Sequence, residues 1–507
     1  MKKIKIVFAI LLCIVFILPL FVSCGKDEAK KDETKPTAGE NSGEESGDGS
    51  SDKADEQDPY APNLPDIDMG GKLFTVLGYI GWGGDEIKAD IAPEEMTSED
   101  DPIEDAAYHR KIKLEQMYNI KIRVVEADDH NAAVDSIRTT VLAGDDSYDC
   151  AVTACTNFSS LLTGDYLTDF KNLTYIDMDK PYWDKNFYDS LSILGTHYAA
   201  SGDYSKRRLQ CVWIMAFNKK IIAENEFESP YDLVKDGRWT YDTMHEMAKK
   251  IARDINGDGV MTLEDDLWGL NYTGDSIMGL INCSGVKIAE INSDGIPEFT
   301  LNTEVNLEKL LKIFTTMRDH TYSIDTLFVV GGGVTGYANT DILADGRCLF
   351  AAIPSHNVTE LRAMDVEFGI IPYPKWDEAQ DKYTPYTVGS YHPALSIPKT
   401  NDDLDNTSII LEAMAYDGMK NLVPAFYESL LKTKTARDDE SVDMIDFIFG
   451  NLSYDIGNMY NFGGITGVFG YEMSTNLRMN VVSTIDRNIN KWQKDIDKIV
   501  AEIEKAD

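Results

Sequence analysis

Cysteine is scarce in this chain, which has seven cysteines among 507 residues. Cys13 and Cys24 fall in the amino-terminal segment, so the rest of the chain keeps an odd number. Those remaining are Cys150, Cys155, Cys211, Cys283 and Cys348. An odd, widely spaced set does not form a disulfide framework. We expect buried free thiols, and a single bridge between Cys150 and Cys155 is the alternative.

Positive charge is scarce as well. The chain has 48 lysine and arginine residues against 86 aspartate and glutamate residues, a net charge of −38. Because such a protein repels phosphate backbones, nucleic acid is excluded as a partner. The composition favours a soluble extracellular protein with a neutral or cationic ligand. With 43 % hydrophobic residues, the chain can build two domains with large cores.

Several catalytic and nucleotide-binding motifs are missing. The run HEMAK from His245 is not the zinc-protease pattern HExxH, and no GxSxG occurs. The glycine-rich run 331–336 continues with Tyr337 and Ala338, where a Walker motif needs Lys and Ser or Thr, so we predict a flexible turn. Paired carboxylates carry no weight among 86 acidic residues. We expect a protein that is not an enzyme. The alternative is a secreted calcium-dependent carbohydrate-active enzyme.

Residues 1–23 have the order of a signal peptide: lysines, an apolar run and small residues before Cys24. The apolar run is short for a permanent transmembrane anchor, which is the alternative. The ending LFVSC resembles a bacterial lipobox, although Phe21 departs from the usual leucine. This resemblance implies cleavage before Cys24 and lipidation of that cysteine. The protein would then be anchored at the extracellular face of the cell membrane.

Residues 24–68 are rich in Lys, Asp, Glu, Gly and Ser and nearly free of aromatic residues. Such a segment cannot bury enough apolar surface to offset the entropy lost on ordering. We therefore predict a disordered acidic tether that holds the folded part away from the membrane.

The stretch from Trp239 to Gly269 predicts a helix that leads into an acidic loop. Thr240 can cap this helix with its hydroxyl group. The apolar residues that recur at helical spacing are Met244, Met247, Ala248 and Ile251. We expect this face of the helix to be buried.

The acidic loop, DINGDGVMTLEDD, matches the EF-hand pattern at its first, third, fifth and sixth positions. The predicted calcium ligands are Asp254, Asn256, Asp258, Val260 through its carbonyl, Thr262 and Asp265. Because Asp265 stands where an EF-hand has a longer glutamate, the loop resembles the dockerin variant. We expect a structural calcium ion. A turn of Asx residues without metal is the alternative.

From Lys72 onward, strands alternate with helices, which predicts an α/β fold with parallel strands. The predicted strands are 72–79, 121–125 and 148–153, and the predicted helices are 105–118 and 133–143. Ligands of such sheets gather beyond the carboxyl ends of the strands. Trp82 and Asp85 after the first strand and Asn157 after the third are therefore candidate ligand contacts.

The second half of the chain continues this alternation of strands and helices. The apolar run 209–217 predicts a buried strand, residues 296–301 a further strand and residues 307–317 an amphipathic helix. The last helix carries an apolar stripe made of Ile485, Ile489, Trp492, Ile496, Ile499 and Ile503. This stripe predicts a helix docked on the domain, since a coiled coil would need more heptads.

Short motifs follow one another in a specific order. They are Phe217-Asn-Lys, Pro230-Tyr-Asp-Leu, Gly237-Arg-Trp-Thr, the acidic loop with Trp268-Gly, Ala344-Asp-Gly-Arg-Cys-Leu-Phe, Phe368-Gly-Ile-Ile-Pro-Tyr-Pro and Leu395-Ser-Ile-Pro. Together with the lipobox, this order resembles the extracellular solute-binding lipoproteins of ABC importers, in the family-1, sugar-binding-like branch. Residues 426–438 also resemble members from Gram-positive bacteria of the clostridial type. The likeness covers nearly all of the chain after the tether.

This resemblance implies a two-lobe, type II periplasmic-binding-protein-like α/β fold with hinge segments between the lobes. Ligand would stabilise the closed form, because only there does it contact both lobes. The expected first lobe is 70–200 plus 350–390, and the expected second lobe is 201–349 plus 391–507. We expect the chain to cross between the lobes near 198–209, 344–353 and 387–396.

The resemblance also implies capture of a solute, above all an oligosaccharide, and delivery to an ABC transporter permease. Sugar sites combine aromatic faces with a few polar anchors. The further candidate ligand contacts are Asp203, Tyr204, Trp268, Tyr272, Ser355, His356, Asn357, Tyr391 and His392. Core packing is an equal alternative for each aromatic residue, and a structural role is favoured for His356 and His392. A sensory lipoprotein with the same fold is a further alternative.

Overall fold

The computed structural model describes residues 58–81, 87–96, 101–326, 340–363, 365–431, 439–476 and 478–506. All of these residues belong to the unit Asp58–Asp507. The predicted signal peptide, Cys24 and the tether up to residue 57 lie outside the described residues. The same holds for Trp82, Asp85 and the glycine-rich run 331–336.

Strands and helices alternate through most of the described chain. The strands are β1 Lys72–Tyr79, β2 Ile120–Ala127, β3 Cys150–Ala154, β4 Val212–Asn218, β5 Trp268–Tyr272, β6 Ala289–Ile291, β7 Pro297–Phe299, β8 Ser323–Asp325, β9 Cys348–Pro354, β10 Phe368–Ile371, β11 Tyr386–Thr387 and β12 Pro393–Ser396. The α-helices are α1 Ile87–Ile91, α2 Pro102–Tyr118, α3 His130–Ala143, α4 Cys155–Phe158, α5 Lys185–Ser190, α6 Arg207–Gln210, α7 Lys219–Glu224, α8 Pro230–Lys235, α9 Tyr241–Ile251, α10 Gly274–Cys283, α11 Glu304–Met317, α12 Asp341–Ala344, α13 Leu404–Asp417, α14 Val423–Leu431, α15 Asp439–Gly450, α16 Ile456–Met459, α17 Met473–Thr475 and α18 Val481–Ala506. Single π-helical segments lie at Gly418–Leu422 and Gly467–Glu472.

The first sheet has the strand order β12-β3-β1-β2. β1 pairs in parallel with β2 and with β3, and β12 joins β3 in the antiparallel direction. Helices α2 and α3 begin where the side chains of Asp101 and Asp129 accept hydrogen bonds from first-turn amides. These elements confirm the parallel α/β arrangement predicted for the beginning of the domain.

The second sheet has the order β10-β4-β9-β5-β8, with β11 also paired to β4. All residues of β4 are buried, as its continuous apolar sequence predicts. β9 and β10 pair with β4 here, whereas the predicted boundaries assigned 350–390 to the first lobe. Conversely, β12 joins the first sheet although 391–507 was assigned to the second lobe. These boundaries were wrong because an apolar strand does not encode which sheet it will join.

Three passages carry the chain between the sheets in the described residues. The first lies between Ala200, which bridges to Leu395 of β12, and the start of β4, close to the predicted crossing 198–209. The second is residues 388–392 between β11 and β12, inside the predicted crossing 387–396. The predicted crossing 344–353 is wrong, because β9 lies within the second sheet.

The third passage runs instead through α13, the π-helix Gly418–Leu422 and α14. α13 packs in the core beside the first sheet, and α15 packs against β10 of the second. At the start of the π-helix, a Cβ atom on Gly418 would collide with the carbonyl oxygen of Asp203 in the first passage. The first and third passages therefore touch at a position where only glycine fits.

Residues 58–69 differ from the predicted tether, because they pack on the folded unit. Leu64, Ile67 and Met69 are partly buried against the core of the first sheet. The carboxylate of Asp58 accepts a hydrogen bond from Tyr416 Oη at 2.8 Å. The acidic composition of the segment concealed these apolar contacts.

The carboxyl-terminal helix α18 docks as its stripe predicts. Ile485, Trp492, Ile496, Ile499 and Ile503 are at most 3 % exposed. The buried face of α9 and its cap at Thr240 are also confirmed. Within the described part of the chain, no helix combines the length and apolar character needed to cross a membrane.

Candidate functional site

The carboxyl ends of the parallel strands in the first sheet lie against the first two passages. Tyr79, the last residue of β1, accepts a hydrogen bond from Arg207 Nη1 at 3.1 Å, and this guanidinium lies 5.2 Å from the centre of the tyrosine ring. After β3, the amide of Cys155 donates to the carbonyl of His392 at 3.1 Å. This end of the sheet therefore contacts α6 of the first passage and the end of the second.

On the second sheet, β5 is followed at once by α10. Thr273 and Ser276 cap this helix through a reciprocal pair of hydrogen bonds. Gly274 packs against the carbonyl oxygen of Gly470 in the second π-helix, so that any Cβ atom would collide there. This close approach fixes the first turn of α10, which carries Asp275.

Asp275 is a partly exposed carboxylate, and no hydrogen bond or ion pair involves its side chain within the described residues. Burial raises the pKa of Asp275 to about 6, and no described cation opposes that shift. The helix that carries Asp275 packs against two tyrosine rings, because a Cβ atom on Gly279 would lie 3.1 Å from both Tyr373 and Tyr386. The charge of Asp275 adds to the burial that raises the pKa of Tyr373, Tyr386 and Tyr391. An unpaired carboxylate in such surroundings costs stability, and that cost is typical of functional sites.

Tyr391 belongs to the second passage, which connects β11 of the second sheet to β12 of the first. Burial raises the pKa of its hydroxyl, the charges of Asp275 and Tyr79 raise that pKa further, and the charge of Arg207 lowers it. The neighbouring Ser390 Oγ is buried without a hydrogen-bond partner in the described residues. We call Asp275, Tyr391, Ser390, Tyr79 and Arg207 the junction site. It combines the unpaired carboxylate of Asp275, the partly exposed ring of Tyr391 and the unpaired hydroxyl of Ser390, beside the buried contact between Tyr79 and Arg207.

No protein-family model matches this chain, and no curated protein sequence matches it. Solved structures do. The ABC substrate-binding protein from Listeria monocytogenes in complex with cycloalternan matches with a TM-score of 0.52 and 13 % identity, over 86 % of this chain and 99 % of that one. UspC from M. tuberculosis matches with a TM-score of 0.55 and 13 % identity, over 83 % of this chain and 100 % of that one.

An ABC transporter solute-binding protein from Thermotoga lettingae, bound with α-D-tagatose, matches with a TM-score of 0.51 and 13 % identity, over 85 % of this chain and 100 % of that one. The chain has the two-lobe fold of solute-binding proteins. At such low identity the likeness concerns the fold. We call the part built on the first sheet lobe 1 and the part built on the second sheet lobe 2. The junction site takes its residues from β1, α10 and the first two passages.

Three predicted ligand contacts besides Tyr391 lie near the passages between the lobes. Asn157 is partly exposed after β3, and its Nδ2 donates to Asn131 Oδ1 at 2.7 Å. His356 is exposed after β9, with its Nδ1 3.2 Å from the carbonyl oxygen of Gln210. Asn357 is 7 % exposed, and its Oδ1 has no partner in the described part of the chain. These residues keep their predicted role as candidates.

Six further predicted ligand contacts are each at most 3 % exposed in this structure, so their side chains are buried in it, and their contact with a ligand stays a prediction. They are Asp203, Tyr204, Trp268, Tyr272, Ser355 and His392. Their side chains have structural partners in two instructive cases. The carboxylate of Asp203 pairs with the guanidinium of Arg208. Trp268 lies at the first residue of β5, the end of the strand opposite to α10, and its Nε1 donates to the carbonyl of Thr262 at 2.9 Å.

His392 has the structural role that was favoured for it from the sequence, as a residue of the second passage. Its Nδ1 lies 3.1 Å from Thr387 Oγ1 and its Nε2 lies 3.0 Å from Ser201 Oγ. The imidazole also stacks on Phe187 with ring centres 5.0 Å apart. Burial lowers the pKa of His392 to about 3, so the ring stays neutral and links the first passage to the second.

The acidic loop between α9 and β5 is closed by its own carboxylates. Asp254 accepts hydrogen bonds from the amides of Gly257 at 2.6 Å and Gly259 at 2.7 Å. Asp258 accepts from the amide of Val260 at 2.8 Å. These contacts order the first half of the loop through Asx-type turns.

In the second half of the loop, the carboxylate that contacts the loop backbone is that of Asp266. Asp266 is fully buried and accepts from the amides of Ile255 at 2.8 Å and Thr262 at 2.6 Å. Asp265 is exposed. Within the described ranges, no group of three or more His, Cys, Asp or Glu side chains is placed to hold a metal ion. Asp265 therefore stays a predicted ligand, and Asp266 is the acidic side chain that contacts the loop backbone.

The expectation of buried free thiols is confirmed for the cysteines in the described residues. Cys150, Cys155, Cys211, Cys283 and Cys348 are free and buried. Burial raises the pKa of the Cys155 thiol well above its ordinary value, so it stays protonated beside the second passage. These thiols contribute packing and weak hydrogen bonds.

Sequence analysis missed Asp275 and Arg207. Asp275 stands three residues beyond the end of β5, so the rule that ligands gather beyond strand ends would have found it. The predicted ligand contact was Tyr272, within the strand, instead. Arg207 carried no such signal, because its contact with Tyr79 spans 128 positions of the chain.

Proposed function

We propose that this chain is a substrate-binding lipoprotein that captures a carbohydrate between its lobes and delivers it to the permease of an ABC transporter. The observation that carries the proposal is the partly exposed, unpaired carboxylate of Asp275 on α10, a helix that packs against Tyr373 and Tyr386. Sugar hydroxyls donate to carboxylates, and their C–H surfaces pack on aromatic rings. Neighbours in fold that were solved with cycloalternan and with tagatose support the same class of ligand.

Capture follows from the arrangement of the junction site. Asp275 belongs to lobe 2, Tyr79 belongs to lobe 1, and Tyr391 lies in a passage between them. A sugar held by both lobes would contact both only when they close, and would stabilise the closed form by that difference in affinity. The close contact of Gly418 with Asp203 gives the hinge a defined packing.

Anchoring completes the proposed role. In a Gram-positive bacterium of the clostridial type, lipid on Cys24 would hold the protein at the extracellular face of the cell membrane beside its permease. The acidic segment before Asp58 would span the distance between lipid and receptor. The lipobox-like ending LFVSC supports this part of the proposal.

A structural calcium ion in the acidic loop is also proposed. The oxygens of Asp254, Asn256, Asp258 and Thr262 and the carbonyl of Val260 are the candidate ligands, with Asp265 or its buried neighbour Asp266 as the remaining carboxylate. Hard oxygen donors of this kind suit calcium. The ion would brace the loop and has no role in the capture of the sugar.

Thermal unfolding of the full-length protein in detergent, with a panel of oligosaccharides, tests the proposal. A sugar present at about one hundred times its Kd should stabilise the protein by about 2.7 kcal/mol. That gain raises the Tm by a few degrees. Chromatography of the same samples should find the sugar unchanged. Product formation would contradict the proposal and favour a carbohydrate-active enzyme, and the absence of any shift across the panel would contradict carbohydrate binding.

A further inference from the structure

The side-chain carboxylate of Asp275 is partly exposed and makes no hydrogen bond or ion pair with another described residue. Tyr373 and Tyr386 pack against the same helix, each 3.1 Å from the position of a Cβ atom on Gly279, and both are 1 % exposed. The partly exposed Tyr391 is therefore the tyrosine that offers a ring face. The guanidinium of Arg207 is engaged with Tyr79, through a hydrogen bond of 3.1 Å and the face of the ring. The charge of Asp275 is therefore left for whatever enters the junction site.

The amino terminus of α10 is the competing feature, because exposed helix amides attract anions. In α10, side chains of the protein itself already occupy this end of the helix. Thr273 and Ser276 cap the helix, with the amide of Thr273 donating to Ser276 Oγ at 3.0 Å. Asp275 itself stands in the first turn, where a carboxylate offsets the positive end of the helix dipole. An incoming anion meets this carboxylate in place of open amides.

We propose that Asp275 selects the ligand by charge: the junction site takes oligosaccharides that present a hydroxyl or ammonium donor to this carboxylate, and it rejects sugar acids. This inference rests on the proposed function and specifies its substrate class. A neutral sugar forms a charge-assisted hydrogen bond with Asp275. A glucosamine unit adds an ion pair, whereas a uronic acid brings a second carboxylate into a poorly solvated site. The net charge of −38 adds a weaker long-range bias in the same direction.

The test uses calorimetric titration of the full-length protein in detergent with charge-matched trisaccharides. The probes are maltotriose, mannotriose and N-acetylglucosamine trimer as neutral sugars, glucosamine trimer as the cationic one and galacturonic acid trimer as the anionic one. We expect at least one neutral or cationic probe to bind and the anionic probe to bind at least tenfold more weakly. This comparison needs no variant, so it stands even if a substitution unfolds the protein.

Two variants then assign the selection to Asp275. Asp275→Asn should lower the affinity for the best-binding neutral or cationic probe by roughly 10- to 100-fold, which is the worth of a hydrogen bond to a charged group. The difference in affinity between that probe and the anionic probe should become smaller. Glu308→Gln removes the same charge from an exposed position on α11 and should leave both affinities unchanged.

The outcomes separate the two proposals. Failure of every probe to bind would overturn the proposed function and this inference with it. Binding of a neutral sugar with no preference over galacturonic acid trimer would overturn the inference alone. Equal affinity in wild type and Asp275→Asn would do the same, since the carboxylate would then play no part in recognition.

Discussion

Glu412 in lobe 1 and Asp275 in lobe 2 are carboxylates that differ in their partners. Glu412 on α13 is 1 % exposed and accepts hydrogen bonds from Tyr182 Oη at 2.5 Å and from Trp183 Nε1 at 2.7 Å. Burial raises the pKa of Glu412, and these hydrogen bonds oppose that shift. Burial also raises the pKa of Asp275, but no hydrogen bond opposes that shift. The first carboxylate holds lobe 1 together, and the second is kept at a cost that binding can recover.

Removing the partnered carboxylate should have the largest effect. Glu412→Ala leaves the hydroxyl of Tyr182 and the indole N–H of Trp183 buried without an acceptor, so we expect a loss of about 3–5 kcal/mol in the free energy of unfolding. Urea denaturation measures it. Glu412→Gln keeps one acceptor oxygen and should lose less. A loss below about 1 kcal/mol for Glu412→Ala would mean that the network does not stabilise lobe 1.

Changing the backbone contact of the hinge should have the next largest effect, without altering charge. Gly418→Ala forces a methyl group against the carbonyl oxygen of Asp203, and we expect about 1–3 kcal/mol of destabilisation together with weaker sugar binding. Gly467→Ala is the matched control, because nothing lies within 4 Å of a Cβ atom at that position of the other π-helix. Equal effects of the two substitutions would contradict a specific contact at Gly418.

Removing the unpaired carboxylate should stabilise the protein without ligand. Burial raises the pKa of Asp275 to about 6 in the folded state, against an ordinary value of 3.8. Above pH 6 the carboxylate is therefore charged in both states but poorly solvated only in the folded one. As the pH falls from 6 to 4, the folded state takes up the proton first and the cost disappears. Because Asp275 is partly exposed, we expect Asp275→Asn to gain about 1–2 kcal/mol at pH 7.5 and close to nothing at pH 4.

Urea denaturation of wild type and Asp275→Asn at several pH values checks this window. A gain that persists unchanged at pH 4 would show that it does not arise from the charge. A loss of stability at pH 7.5 would mean that Asp275 has a partner that stabilises it, and the contrast with Glu412 would then fail.

The acidic loop offers a third kind of carboxylate, one that its own backbone satisfies. If calcium binds, adding it to metal-free protein should raise the Tm, with about 1 kcal/mol of stabilisation at several times its Kd. Asp254→Asn should abolish that shift, whereas Asp265→Asn should leave most of it, because Asp265 is exposed and Asp266 contacts the loop. A shift that survives Asp254→Asn would contradict calcium binding at this loop.

Much of the fold could be predicted because local patterns encode it. The apolar run of β4, the stripe of α18 and the cap of α9 each mark their element. Lobe membership could not be predicted in this way, since β9 and β12 are both short buried strands with no signal for their partner sheet.

The candidate site was harder to predict for a related reason. Aromatic residues such as Tyr204 and Trp268 have the same composition signal whether they face a ligand or a core, and both are 1 % exposed. What distinguishes Asp275 is the lack of a partner. That property depends on every element packed around it, so it exists only in the folded chain.

Hydrogen–deuterium exchange with the best-binding trisaccharide tests the central claim most directly. If a sugar binds at the junction site and closes the lobes, protection should rise together in the first turns of α10, in the first passage from residue 203 to 211 and in the second passage from 388 to 392. Asp275→Asn at the same sugar concentration should lose all of it. Protection confined to one lobe, or located away from these segments, would contradict capture of the sugar at the junction site.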